Sequence, residues 1–199
     1  MKSNIFFTKY KIDQVFAGNR AYKSQTEWIE FFNKEKKAMI SAPDVYKAPD
    51  FILRNLRGEP IKYWLVTSTR ICYNPNDLEA RIIHDFRSTV VKPLDKSVVV
   101  PVYSYELIEK VVKGEGLKFL QVLFGTEDDA SKLIKRLETI NKREAKEIKV
   151  CTPQQKFRKT FSFNFNGFAY FTDAFYIDSG HKIIRSDGGV SYGVSLSSA

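Results

Sequence analysis

The sequence predicts an α+β fold, a mixed sheet flanked by helices that ends in an antiparallel β-meander. Three observations predict it. Strand-like and helix-like segments alternate through the middle of the chain. Nine of the twenty residues from Phe157 to Tyr176 are Phe or Tyr, interleaved with polar residues at strand spacing. Inside that run lies Asn166-Gly167, the dipeptide favoured in two-residue hairpin turns. The 199 residues fit a single compact domain over 1–199, with a subdivision into an α/β part (1–150) and an antiparallel β part (151–199).

The elements follow in order. "SQTEWIEFFNKEKKAM" opens with a capping box, Ser24 as N-cap and Glu27 three residues on. Trp28, Phe31 and Phe32 then fall on one helical face, and Glu30, Lys34 and Lys37 on the other. "SAPDVYKAPDF" carries two prolines and reads as a loop, with Asp50 placed to cap a short helix through Leu56. "PIKYWLVTSTRICYN" is rich in β-branched and aromatic residues and reads as a strand. Asn74, Pro75, Asn76 and Asp77 should stop it and start a helix striped by Leu78, Ile82, Phe86 and Val90.

"SVVVPVYSY" reads as a second strand, with Pro101 at a bulge or an edge. "YELIEKVVKGEG" reads as a short helix ended by Gly114 and Gly116. "LKFLQVLFG" is a nearly continuous apolar run, expected to be a central strand. The strongest helix follows it, capped by Thr126, with acids in its first turn and Leu133, Ile134, Leu137 and Ile140 as its stripe.

In the last quarter, a turn at Asn166-Gly167 would set Phe165 opposite Phe168 and Phe163 opposite Tyr170. Phe157, Phe161, Phe163, Phe165, Phe168, Tyr170 and Tyr176 would then share one face. That face has few bases beside its rings, so it is expected to be core and not a stacking platform for bases. "HKIIRS" and "VSYGVSL" would continue the meander.

Charge points to a partner. The net charge is +9, a balance that favours a polyanion, either nucleic acid or an anionic membrane surface. Residues 1–73 hold 13 Lys or Arg against 7 Asp or Glu, an excess of +6. There Phe6, Phe7, Tyr10, Phe16 and Tyr22 interleave with Lys9, Lys11, Arg20 and Lys23. Bases would meet phosphates and rings would stack on unpaired nucleobases. The same composition suits an edge strand guarded by lysines. The expected nucleic-acid-binding set is Lys9, Tyr10, Lys11, Arg20, Tyr22 and Lys23, extended by Arg54, Arg57, Lys62 and Arg70. The function expected is non-enzymatic nucleic-acid binding, DNA or RNA. The alternative is an interaction or assembly protein with a protein partner, and a metal-dependent nuclease stands third.

Catalytic signals are few. Asp44, Asp50, Glu59 and Lys62 are the nearest approach to a nuclease set. Glu59 and Lys62 are separated by two residues, which on a strand puts the lysine on the opposite face from the acid. His84 and His181, the only histidines, are far apart, and His84 is expected at a boundary or the surface. "VTSTR" offers three hydroxyls ahead of Arg70 as an anion contact. No glycine-rich phosphate loop or hydrolase elbow occurs. No cofactor and no metal are expected.

Cys72 and Cys151 form no CxxC pair, so a zinc or redox motif has no support. A reduced, cytoplasmic setting with both thiols unpaired is the simpler expectation. Ile5, Phe6 and Phe7 are too short an apolar run for a signal peptide, and no apolar stretch reaches the length of a membrane span.

Overall fold

A computed structural model describes residues 10–17, 23, 25–47, 65–73, 79–84, 87, 98–99, 106–140, 147–151, 160–168, 174–178 and 192–198. The described residues combine helices with mainly antiparallel strands, as an α+β fold requires. The strands are β1 (Tyr10–Ala17), β2 (Ala38–Met39), β3 (Leu65–Tyr73), β4 (Glu79–Ile83) and β5 (Val98–Val99). Further on come β6 (Glu106–Leu107), β7 (Glu147–Cys151), β8 (Thr160–Phe168), β9 (Ala174–Asp178) and β10 (Tyr192–Ser198). The helices are α1 (Gln25–Lys34), α2 (Ala42–Lys47), α3 (Ile108–Val111), α4 (Gly114–Phe124) and α5 (Ala130–Ile140).

Two sheets form. One has the order β1-β10-β2, and the other β5-β4-β3-β8-β9-β7-β6. Among the described strands only β7 and β9 pair in parallel. A backbone hydrogen bond links the two sheets beside β3. There the Ser68 amide donates to the Ile40 carbonyl at 2.9 Å, joining β3 to the segment that follows β2.

α1 forms as its apolar spacing dictates. Trp28, Ile29 and Phe32 are at most 1 % exposed and pack with Met39 and Val66. Phe32 stacks on Trp28 at 5.4 Å between ring centroids, and Phe31 meets both rings edge-on. Two residues past the helix lies Lys36, whose φ of 55° is left-handed. The Lys37 amide bonds back to Phe32 O at 2.8 Å, the closing bond of a Schellman motif. β10 passes over this cluster at Gly193, where a Cβ would lie 2.5 Å from the Phe32 ring. Gly193→Ala should therefore cost about 1–3 kcal/mol by overpacking, read as a lower urea midpoint with an unchanged slope. No loss of stability would mean that β10 does not press on Phe32.

Several elements differ from the sequence expectation. α2 occupies the expected loop at its start. Ser41 and Asp44 make a capping box, with the Asp44 carboxylate accepting from Ser41 N at 2.8 Å and Ser41 Oγ at 2.7 Å. Pro43 is tolerated because a first-turn amide has no intrahelical acceptor to lose. The helix expected after Asn74 is instead strand β4, which pairs antiparallel with β3, Tyr73 facing Ala80. Ile82 and Ile83 are both buried there; β-branched side chains suit a strand better than a helix. Leu78, Phe86 and Val90 lie outside the described residues.

The expected central strand "LKFLQVLFG" is α4. Phe119, Leu120, Leu123 and Phe124 are buried and fall at helical spacing. An apolar run of this length is ambiguous, since a helix buried on most sides looks like a buried strand. Gly125 ends α4 in the left-handed region at φ 56°. Gly114 and Gly116 do not stop a helix but begin this one. Gly114 has φ 52°, and a Cβ on Gly116 would collide with the Val111 carbonyl oxygen. α5 is capped by Asp129, not Thr126: the Lys132 amide donates to Asp129 Oδ1 at 2.9 Å. The acids thus precede the helix. Leu133 and Leu137 are fully buried and Ile134 is half-buried.

Asn166-Gly167 is not a turn. β8 runs through it, pairing Asn166 with Tyr176 and Gly167 with Phe175 on β9. β8 is the middle strand of the seven, with β3 on its other side. β10 joins β1 and β2 in the other sheet. Phe157, Tyr170 and the segment "HKIIRS" lie outside the described residues. Cys72 on β3 and Cys151 on β7 have β8 and β9 between them. Three strand spacings of about 4.8 Å are too far for a disulfide.

Candidate functional site

The basic, aromatic N-terminal third is only partly described. Tyr10 and Lys11 begin β1, an edge strand of the three-stranded sheet. Lys23 is half-buried with its ammonium 5.7 Å from the Trp28 ring centroid, a cation–π contact. That ring sits on the buried α1 cluster, so Lys23 is anchored to the fold. Lys9, Arg20, Tyr22, Arg54, Arg57 and Lys62 lie outside the described residues, as do Asp50, Glu59 and His181.

Arg70 is placed differently from the sequence expectation. It is 3 % exposed, and Thr67, Ser68 and Thr69 before it are fully buried. "VTSTR" is thus an interior segment and not a surface anion contact. Its register with β8 is interrupted between Val66 and Arg70. Gln25, the first residue of α1, fills the gap. Its Nε2 donates to Thr67 O at 2.6 Å and to Thr69 O at 3.1 Å. Its Oε1 accepts from Arg70 Nε at 2.9 Å. One buried amide therefore holds two carbonyls and a guanidinium.

Beside it, Thr69 makes a second polar link. Thr69 Oγ1 accepts from the Ala42 amide at 2.9 Å and lies 3.0 Å from His84 Nδ1. His84 Nε2 lies 3.0 Å from Val122 O, a carbonyl near the end of α4. A carbonyl can only accept, so Nε2 carries the proton and Nδ1 accepts the threonine hydroxyl. His84 is thereby held neutral between β3 and α4. Burial is the main cause that lowers its pKa to about 4; the Val122 bond opposes the shift and the Lys47 charge adds to it.

The Thr69–His84 contact has the spacing of a nucleophile and its base. Thr69 is fully buried and already accepts the α2 amide, so the pair ties β3 to α2 and α4. Asp44 belongs to the α2 cap. Tyr46 donates its hydroxyl to Asp128 at 2.8 Å, and burial is the main cause that raises its pKa well above the usual tyrosine value. Among the described residues no three His, Cys, Asp or Glu side chains cluster to hold a metal ion. Among them, too, no helix is long and apolar enough to cross a membrane.

Sequence reasoning missed Gln25 and His84 as organising residues. A lone amide at the start of a helix carries no spacing signal, and the histidine's partners come from two distant segments. No family model, curated protein or solved structure matches this chain.

Proposed function

We propose that the protein binds nucleic acid without catalysis, contacting phosphates and unpaired bases through its N-terminal third. The observation that carries this reading is the +6 excess within residues 1–73, interleaved with rings. The hydrogen-bonded state of Thr69, His84 and Asp44 also favours binding over chemistry, since each has a structural partner. Arg70 leaves the proposed set because it is interior. Lys23 serves α1 as well as any ligand.

The finer architecture belongs to the same proposal. The C-terminal quarter would serve as apolar core, with Phe161, Phe163, Phe165 and Phe168 buried, and the N-terminal third would face the ligand. The separation of Cys72 and Cys151 supports a cytoplasmic setting.

The test is a triple variant, Lys9→Ala, Lys11→Ala and Arg20→Ala, with Lys23 left to hold Trp28. Each phosphate contact contributes about 0.7–0.9 to the slope of log K against log salt. The variant should flatten that slope by about 2–3 units. Tyr10→Ala should weaken single-strand binding and leave the slope unchanged, because stacking displaces no counterions. Binding with an unaltered slope in the triple variant would move the site away from these residues.

A further inference from the structure

α5 buries Leu133 and Leu137 and exposes Lys132, Lys135 and Arg136. The three bases fall at i, i+3 and i+4, so they share one face. Among the described residues neither lysine ammonium has an acidic partner. Asp129 uses its Oδ1 on the Lys132 amide, and Glu138, three residues beyond Lys135, borders this face without forming an ion pair to it among the described residues. Thr139, next along the face, turns its hydroxyl back to Lys135 O at 2.9 Å. Arg136 lies 5.9 Å from the Tyr46 ring centroid, and Tyr46 is itself fixed by Asp128. Among the described residues one base is therefore held in place, and the two exposed lysine ammoniums have no ion pair. In sequence Lys142 and Arg143 follow with the same period.

We propose that this face of α5 is a second phosphate-contacting surface for nucleic acid. The inference rests on the reading that the protein binds nucleic acid. It adds a surface that the N-terminal charge excess does not include. A membrane surface fits less well. An amphipathic helix that lies on lipid inserts its apolar face, and the apolar face of α5 is already taken by the core. Lys132 and Arg136 are about 6 Å apart along the axis, at 1.5 Å per residue, which lets them contact separate backbone phosphates.

The test is Lys132→Gln with Lys135→Gln in the full chain. Arg136 is kept, since it packs on Tyr46. Both lysines are exposed, so the circular dichroism spectrum and urea midpoint should not change. Fluorescence anisotropy with a labelled oligonucleotide should show the salt slope flatten by about 1.4–1.8 units, two contacts' worth. Affinity near ~0.1 M salt should fall roughly tenfold or more. If the wild type binds and the double variant keeps its slope, α5 is not a contact and the N-terminal reading stands alone. If the wild type binds no oligonucleotide at low salt, both readings fall. If it instead binds phosphatidylserine vesicles, and the double variant does not, the surface belongs to a membrane and this inference is overturned.

Discussion

Gln25→Leu is expected to cost about 3–5 kcal/mol of folding stability, the range for stripping a partner from a buried charge. The amide is 7 % exposed and serves three groups at once. Leucine approximates its shape but cannot hydrogen-bond. Thr67 O and Thr69 O would each lose a donor where the β8 ladder is already interrupted. Arg70 Nε would lose its acceptor while remaining in the interior. Each orphaned neutral group costs about 1–3 kcal/mol, and a charged one more. Gln25→Glu should recover part of the loss, because it restores an acceptor for Arg70 but sets a carboxylate against two carbonyls. Urea unfolding measures all three proteins. A loss under about 1 kcal/mol for the leucine variant would show that water satisfies these groups.

Stability should fall with acid through His84. Its folded pKa is near 4 and the ordinary value is 6.5. A base whose folded pKa is depressed is favoured neutral in the folded state, so the unfolded chain binds more protons between those values. The contribution is complete above about pH 6.5 and is lost as pH falls toward 4. The shift corresponds to at most about 3 kcal/mol, reduced by the partial exposure of the ring. Carboxylates also titrate near the lower end, so the informative quantity is the difference between wild type and His84→Gln. That difference should change steadily across the window and be flat above it. Parallel stability curves from pH 7 to 4 would contradict the neutral, doubly bonded His84.

What was legible in the sequence divides along physical lines. α1 and α5 were readable because each buries one face and exposes the other, and that is the periodicity a sequence carries. α4 was misread because its apolar residues cover most of its circumference. β4 was misread because Leu78, Ile82 and Phe86 happen to fall at helical spacing, while the pairing with β3 that decides the matter is a tertiary fact. Asn166-Gly167 carried a local hairpin preference that the strand overrode: β8 takes its partners from β3 and β9 across the chain. The capping box Ser41-Asp44 was visible in principle, hidden behind two prolines that suggested a loop.

The candidate site divides in the same way. The charge excess and its aromatic interleaving are plain in composition. The withdrawal of Arg70 into the interior was not, since its partner Gln25 lies 45 residues away. The anchoring of Lys23 over Trp28 likewise needed the α1 cluster to be assembled first. The buried hydroxyls of "VTSTR" looked like an anion contact because a strand sequence does not say which sheet face, or which neighbouring segment, will cover it.

The most direct measurement is a salt titration of the wild-type protein with single- and double-stranded oligonucleotides, followed by fluorescence anisotropy. The account predicts binding at low salt, with log K falling linearly against log salt at a slope that reflects several phosphate contacts, about 0.7–0.9 for each. It predicts tighter binding to the single strand, because only unpaired bases can stack on the rings of the N-terminal third. No binding to either oligonucleotide at low salt would contradict it, and the basic, aromatic N-terminal third would then belong to an assembly surface.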